Sequence, residues 1–373
     1  MKSVLVLGGY GNFGKRIVED LANLSNITIY IAGRNIDKAK TLQDQLASTA
    51  KAELKRMALD ITHKSFPHKL KALSPDLVIH TGGPFQGQDF TVPKACLNAG
   101  SHYVDLSDDR RFVCDITQFN KRAQEKELLL VSGASSVPGL SSAVINYYKS
   151  QFLQINAIDV AIAPGNKAER GEATVRGILS YTGRPFKVFN DSRWVNAYGW
   201  MNPKKLYFGS KLKGRWLANV DVPDLELFPK VYNVKNSVTF QAGLELPLLH
   251  WSMIAMAYMT KIGLVKNWAP LTKGIVKLSN AFKTFGTDKG GMNVAISGLT
   301  KEHKEITINW TLFAPNGVGP YIPTLSTLII VKKLLTDKLS TRGAKPCIGL
   351  YELEDFLPYA QRYNLHIKEQ QLG

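Results

Sequence analysis

The chain has 373 residues, 45% hydrophobic and 21% charged, the make-up of a folded globular protein with room for two cores. Its three cysteines, Cys96, Cys114 and Cys347, are widely spaced and odd in number; this excludes a disulfide framework and a zinc-ligand pattern and fits a reducing, cytoplasmic setting. The net charge of +17 lies mostly in residues 136–290, with 20 basic and 9 acidic side chains. No helix-turn-helix, RNP or zinc-finger pattern accompanies it, so nucleic acid is not an expected partner; the charge suits an anionic substrate, a cofactor's phosphates or an anionic membrane surface, with a solvated basic exterior as the alternative.

The opening has no basic start, long apolar run and cleavage site, so a secretory signal is not expected. Short apolar runs at 4–7, 28–32, 54–60, 76–81, 103–106 and 128–132 predict strands. Helices are expected over 15–24, 37–48, 92–99 and 109–126. Repeated strand–helix units of this length imply a parallel sheet covered on both faces and wound right-handed, a Rossmann-type domain over residues 1–137.

After the first strand the chain reads Gly8-Gly9-Tyr10-Gly11-Asn12-Phe13-Gly14. Gly9, Gly11 and Gly14 satisfy the G-x-G-x-x-G spacing of a dinucleotide site. The first glycine is expected to permit the turn, the second to let backbone approach the pyrophosphate, and the third to seat the helix close to the sheet. Asn12 and Phe13 open the helix whose N-terminus would face the phosphates.

The second strand then ends in Ala32-Gly33-Arg34-Asn35. An acid that would bind both ribose hydroxyls is missing there. Arg34, with Asn35 beside it and Lys38 one turn on, suits a 2′-phosphate, so NADP is the expected cofactor and NAD the second choice. Asp60 ends the third strand within reach of an adenine edge. Gly82-Gly83-Pro84-Phe85 follow the fourth, where a backbone-lined loop can meet the ribose or nicotinamide.

Together with 92–96, 99–106, 133–139, 170–174 and 343–350, these segments resemble the saccharopine dehydrogenase-like family of NADP-binding oxidoreductases, in a bacterial-type branch. The likeness is strong over 1–140, patchy through the middle, and returns near the end. It implies a cofactor domain, an inserted substrate domain and a tail (336–373) packing back on the first. It does not imply saccharopine as the substrate.

Residues 138–335 are expected to form an α+β domain for substrate and dimer contacts. A helix over 140–151 precedes strands at 155–163, 173–180, 237–243, 292–297 and 305–313, whose alternation suggests a mostly antiparallel sheet. Tyr207 and Lys211 match a Tyr-x-x-x-Lys spacing, but Gly209, Ser210 and Gly214 argue against the helix that this pair needs. No histidine spacing suits a metal. Tyr103 and Asp105 on the fifth strand remain as weak acid/base candidates. Ser135, Ser136, Arg176, Arg184 and Arg193 remain as weak substrate contacts.

The apolar stretch 246–265 is interrupted by His250 and Lys261 and reads as a buried helix, with a peripheral membrane contact as the alternative. The expected protein is an NADP(H)-dependent oxidoreductase, homodimeric, acting on a small anionic amino- or keto-type substrate. The alternatives are a non-catalytic, membrane-associated nucleotide-binding protein and a lyase or epimerase that uses its coenzyme transiently.

Overall fold

The computed structural model describes residues 1–373. The chain first builds β1 (Lys2–Leu7), α1 (Asn12–Leu21), β2 (Ile27–Gly33), α2 (Ile36–Leu46), β3 (Glu53–Ala58), α3 (Phe66–Leu73), β4 (Leu77–His80), α4 (Thr91–Ala99), β5 (His102–Asp105), α5 (Arg110–Asp115), α6 (Asn120–Glu125) and β6 (Leu129–Ser132). The middle holds α7 (Ser141–Tyr148), β7 (Gln154–Ala163), α8 (Glu172–Tyr181), β8 (Pro185–Asn190), β9 (Arg193–Tyr198), β10 (Lys204–Tyr207), β11 (Gly214–Asn219), α9 (Asp224–Val231), β12 (Ser237–Ala242), α10 (Pro247–Lys261), α11 (Thr272–Ala281), β13 (Gly290–Leu299) and β14 (Glu305–Ala314). Last come α12 (Ile322–Leu335), β15 (Gly343–Pro346), α13 (Leu353–Arg362) and β16 (His366–Leu372).

Two units result. Unit 1 is Met1–Gly139 with Tyr321–Tyr351, and unit 2 is Leu140–Pro320 with Glu352–Gly373. Unit 1 contains a seven-stranded parallel sheet in the order β15-β6-β5-β4-β1-β2-β3. Val4, Leu5, Val6 and Leu7 on β1 are essentially inaccessible, as a central strand packed on both faces requires. These are the apolar runs that predicted the strands.

Unit 2 holds a mixed sheet along β10-β11-β12-β7-β13-β14-β16, with the β8–β9 hairpin attached to β12. Only β12 and β7 run parallel; the other pairs are antiparallel.

Three expectations change. Residues 173–180 form helix α8, not a strand. Ala173, Val175 and Leu179 fit an alternating period, but Val175, Ile178 and Leu179 fit a helical one, and Glu172 in the first turn complements the helix dipole. Helix α12 belongs to unit 1, not to the second domain. It is apolar on every side and mostly buried, with Lys332 reaching Asp20 of α1 at 2.6 Å. The tail divides: β15 extends the first sheet, whereas 352–373 belong to unit 2, where β16 pairs with β14.

Candidate functional site

In unit 1 the C-terminal ends of β1, β2 and β3 surround the start of α1. The turn between β1 and α1 is held from below by main-chain bonds. The Gly8 and Gly9 amides donate to the Ala32 carbonyl at 2.9 and 3.0 Å, and the Gly11 amide donates to the Gly8 carbonyl at 2.8 Å. Gly11 therefore turns its own N–H inward. Helix α1 begins at Asn12 without a side-chain cap. The amides of Asn12, Phe13 and Gly14, which a helix start cannot satisfy internally, are the donors offered to an anion.

The left-handed backbone of the turn is at Gly8 (φ 75°), one residue before the Gly9 that the motif designates. A Cβ at Gly14 would run into the Gly8 carbonyl. Gly14→Ala is expected to push α1 off the turn, lowering coenzyme affinity at least about tenfold and stability by about 1–3 kcal/mol. Coenzyme titration and thermal unfolding check this; unchanged binding would show that α1 does not cradle the phosphates. The Asn12 side chain is engaged separately: Arg16 donates to its Oδ1 at 2.6 Å and stacks over the Tyr321 ring, 4.9 Å from the centroid.

Beyond the ends of β2 and β3 lies a cleft of about 250 Å³, lined by Arg34, Asp60, His63, Ser65 and Lys69 with Ala58 and Leu59. Tyr10 of the glycine turn meets the chain on either side of Arg34. Its ring packs on Gly33, where a Cβ would strike it, and its hydroxyl accepts the Asn35 amide at 2.8 Å. Asn35 is the N-cap of α2, accepting the Lys38 amide at 3.0 Å.

Asp60 closes a turn by accepting the amide and hydroxyl of Thr62 at 2.9 and 2.8 Å. Those two bonds, with Arg34 and His63 nearby, outweigh burial and hold its carboxyl below the usual range. His63 Nδ1 accepts the Ser65 amide at 3.1 Å, so the neutral ring carries its proton on Nε2 and remains a donor there. Arg34, His63 and Lys69 thus supply donors while the one acid is already engaged. This set suits a phosphate ester. Tyr10, His63, Ser65 and Lys69 escaped the sequence reading; the one available signal was a His-x-Ser-x-x-x-Lys run just after the third strand.

The loop after β4 is pinned to the first turn. Thr81 donates its hydroxyl to the Leu7 and Gly8 carbonyls at 2.9 and 3.1 Å. Gln88 Nε2 donates to the Gly82 and Pro84 carbonyls at 2.8 and 2.7 Å. Phe85 departs from expectation. Its buried ring meets His80 edge-on at 5.0 Å and lies 5.3 Å from Phe112. The loop offers the main chain around Gly82 and Gly83, not an aromatic face.

Tyr103 and Asp105 also depart from expectation, because both are inaccessible. Asp105 Oδ1 accepts the Ser107 amide, the Ser132 hydroxyl and the Gly133 amide, each at 2.9 Å. Burial pushes its carboxyl up to about 6 despite these bonds and one from Tyr103. The Tyr103 hydroxyl lies 3.1 Å from His80 Nδ1, and burial takes the His80 ring down to about 3, keeping it neutral. His80, Tyr103 and Asp105 form a sealed polar chain that positions the turn after β6 and presents nothing to a substrate.

The turn holding Ser135 and Ser136 is clamped by α12. Thr327 donates to the Ala134 carbonyl and Ser326 to the Ser135 carbonyl, each at 2.7 Å. In unit 2, Arg176 on α8, Arg184 in the connection before β8 and Arg193 on β9 are all exposed. Arg184 donates to the Lys266 carbonyl at 2.9 Å, so these residues do not assemble a carboxylate clamp. Tyr207 ends β10 and Lys211 follows in the turn, not on a helix. No group of three or more His, Cys, Asp or Glu side chains is placed to hold a metal ion.

A parallel sheet, a glycine turn leading into an uncapped helix start, and a phosphate-suited cleft beside it define a Rossmann-class dinucleotide-binding domain. Residues 4–135 match the family model described as the saccharopine dehydrogenase NADP binding domain. Over these residues the chain is similar to that family's coenzyme-binding domain.

The fold is also that of the apo saccharopine dehydrogenase (L-Glu forming) from Saccharomyces cerevisiae. That match has a TM-score of 0.67 at 13% identity and covers 100% of both chains. A lipid droplet localized protein of Caenorhabditis elegans is 24% identical over 157 residues. This match takes in 40% of the present chain and 36% of the length of that relative.

Proposed function

We propose that the protein is an NADP(H)-dependent oxidoreductase that moves hydride to or from a carbon of a small, anionic amino- or keto-type substrate. The observation that carries this reading is the cleft of Arg34, His63 and Lys69 adjoining the glycine turn, within a segment that matches an NADP-binding family. When bound, NADP(H) supplies or accepts the hydride. The chain does the holding. The amides of Asn12, Phe13 and Gly14 take the diphosphate, and Arg34, His63 and Lys69 take the ribose phosphate. The loop at Gly82 and Gly83 admits close approach of the coenzyme.

An amino-acid type of substrate is supported by the shared fold with a yeast enzyme whose name records L-Glu formation. An anionic one is supported by the basic excess of residues 136–290. Titration of the purified protein with NADPH and NADH, followed by coenzyme fluorescence, tests the reading. NADPH is expected to bind at micromolar or lower concentration and at least about tenfold more tightly than NADH, one step of about 1.4 kcal/mol. If neither coenzyme binds, the reading fails.

A nucleotide-binding protein without turnover is the second reading, favoured by the complete burial of Tyr103 and Asp105. It predicts the same binding but no loss of NADPH absorbance with any 2-oxo acid supplied with ammonia.

A further inference from the structure

Helix α10 has fifteen residues, too few to cross a bilayer, and no helix of the structure is long and apolar enough to do so. Its two faces are both apolar. His250, Met253, Ile254 and Ala257 are buried on unit 2. At the helical repeat, Leu248, Trp251, Ala255, Tyr258, Met259 and Ile262 fall on the opposite arc, about 100° wide. Leu248 is 61% exposed, Ile262 68%, and Leu264 in the following turn 73%. A helix that is apolar all round needs cover on both sides.

The outward stripe is rigidly supported. The Trp268 indole donates to the Met256 carbonyl at 3.1 Å and to the Thr260 hydroxyl at 2.9 Å, tying the following turn to the helix. Cationic side chains lie nearby. Lys261 lies 4.5 Å from the Tyr198 ring centroid, and Lys205 stacks on Trp216, whose ring meets Trp251 at 5.4 Å. Arg184 holds the Lys266 carbonyl. From 246 to 287 the chain has lysines at 261, 266, 273, 277 and 283 and no Asp or Glu.

We propose that the outward face of α10 docks on a phospholipid surface carrying anionic headgroups. The aliphatic side chains enter the acyl boundary, Trp251 and Tyr258 sit at headgroup level, and the nearby lysines meet the lipid phosphates and carboxylates. A second copy is the poorer occupant, because a two-fold contact would bring this face's lysines against the same lysines of its mate. The inference is independent of the coenzyme assignment.

The test is flotation of the full chain with vesicles of phosphatidylcholine alone and with roughly 30% phosphatidylserine, at low and high salt, with thermal unfolding as the check on folding. Anionic vesicles are expected to carry at least about ten times more protein at low salt, and high salt to reduce this by a similar factor. Leu248→Glu/Ile262→Glu should lower the vesicle-bound fraction about tenfold with the thermal unfolding midpoint unchanged. Lys261→Glu/Lys266→Glu should remove the preference for phosphatidylserine. Absence of wild-type flotation with anionic vesicles would overturn the proposal, as would flotation indifferent to either pair. A concentration-dependent dimer in sedimentation that Leu248→Glu/Ile262→Glu dissolves, without vesicle binding by the wild type, would assign the face to a second copy instead.

Discussion

Arg34→Asp is expected to weaken NADPH binding about a hundredfold and to leave NADH within about threefold of the wild type. Arg34 follows β2 and faces the cleft with His63 and Lys69, and no residue there pairs with it other than the nearby Asp60, which Thr62 already engages. Removing a guanidinium–phosphate pair and placing a carboxylate beside the phosphate is worth about 3 kcal/mol in a partly exposed site, or roughly two decades in affinity. NADH has no 2′-phosphate, and in the proposed binding mode its diphosphate meets the main chain at α1, so its affinity should barely move. Fluorescence titration of both coenzymes gives the comparison. Equal weakening would show that Arg34 acts on the fold or on the diphosphate, and the cleft would lose its assignment.

Asp224→Asn should flatten the pH dependence of stability and raise stability at pH 8 by about 2–4 kcal/mol. The Asp224 side chain is fully buried at the start of α9 and accepts the Ser141 hydroxyl at 2.6 Å. Burial, only partly offset by that bond, pushes its carboxyl up to about 7. In the unfolded chain the same group ionises near 3.9. The native state therefore keeps a proton that the unfolded state releases. Stability is full below about pH 3.9, falls as pH rises towards 7, and stays low above it.

Asp105 adds a decline of the same sign up to about pH 6, so the informative quantity is the difference between wild type and Asp224→Asn. Urea unfolding at pH 4.5 and 8 measures it. Parallel profiles for the two proteins would mean that Asp224 is solvated in the native state.

Glu245 behaves in the opposite way. Burial opposes its ionisation, but the amides of Asn166 and Thr287, the Thr287 hydroxyl and Arg215 hold its carboxyl below the usual range. Its contribution is present above about pH 4.5 and lost as pH falls through the folded value. The contrast with Asp224 is one of donors: several donors converge on Glu245, whereas a single hydroxyl meets Asp224.

Much of unit 1 could be read directly, because a central parallel strand is a continuous apolar run and a glycine turn has fixed spacing. The runs ending at Leu7, Ala32 and Ser132, and the Gly9, Gly11 and Gly14 pattern, each reflect one local requirement. Unit 2 was read less well. Strands β8 to β11 are short and polar, and the β8–β9 turn at Asp191 and Ser192, both with positive φ, has no glycine to mark it. For 173–180 two periods fitted overlapping sets of residues, and packing chose the helix.

The order of residues by itself determined the Rossmann alternation, the glycine turn into an uncapped helix start and the replacement of an acid by Arg34, since each depends on neighbours within a few positions. Only the tertiary structure decided that His63 and Lys69 join Arg34 in one cleft and that Tyr103 and Asp105 are sealed away with His80. It also decided that α12 returns to unit 1 and that α10 keeps an apolar face outward. Those facts depend on which distant surfaces meet. Burial and pairing are properties of contacts between segments far apart in the chain, and local pattern does not record them.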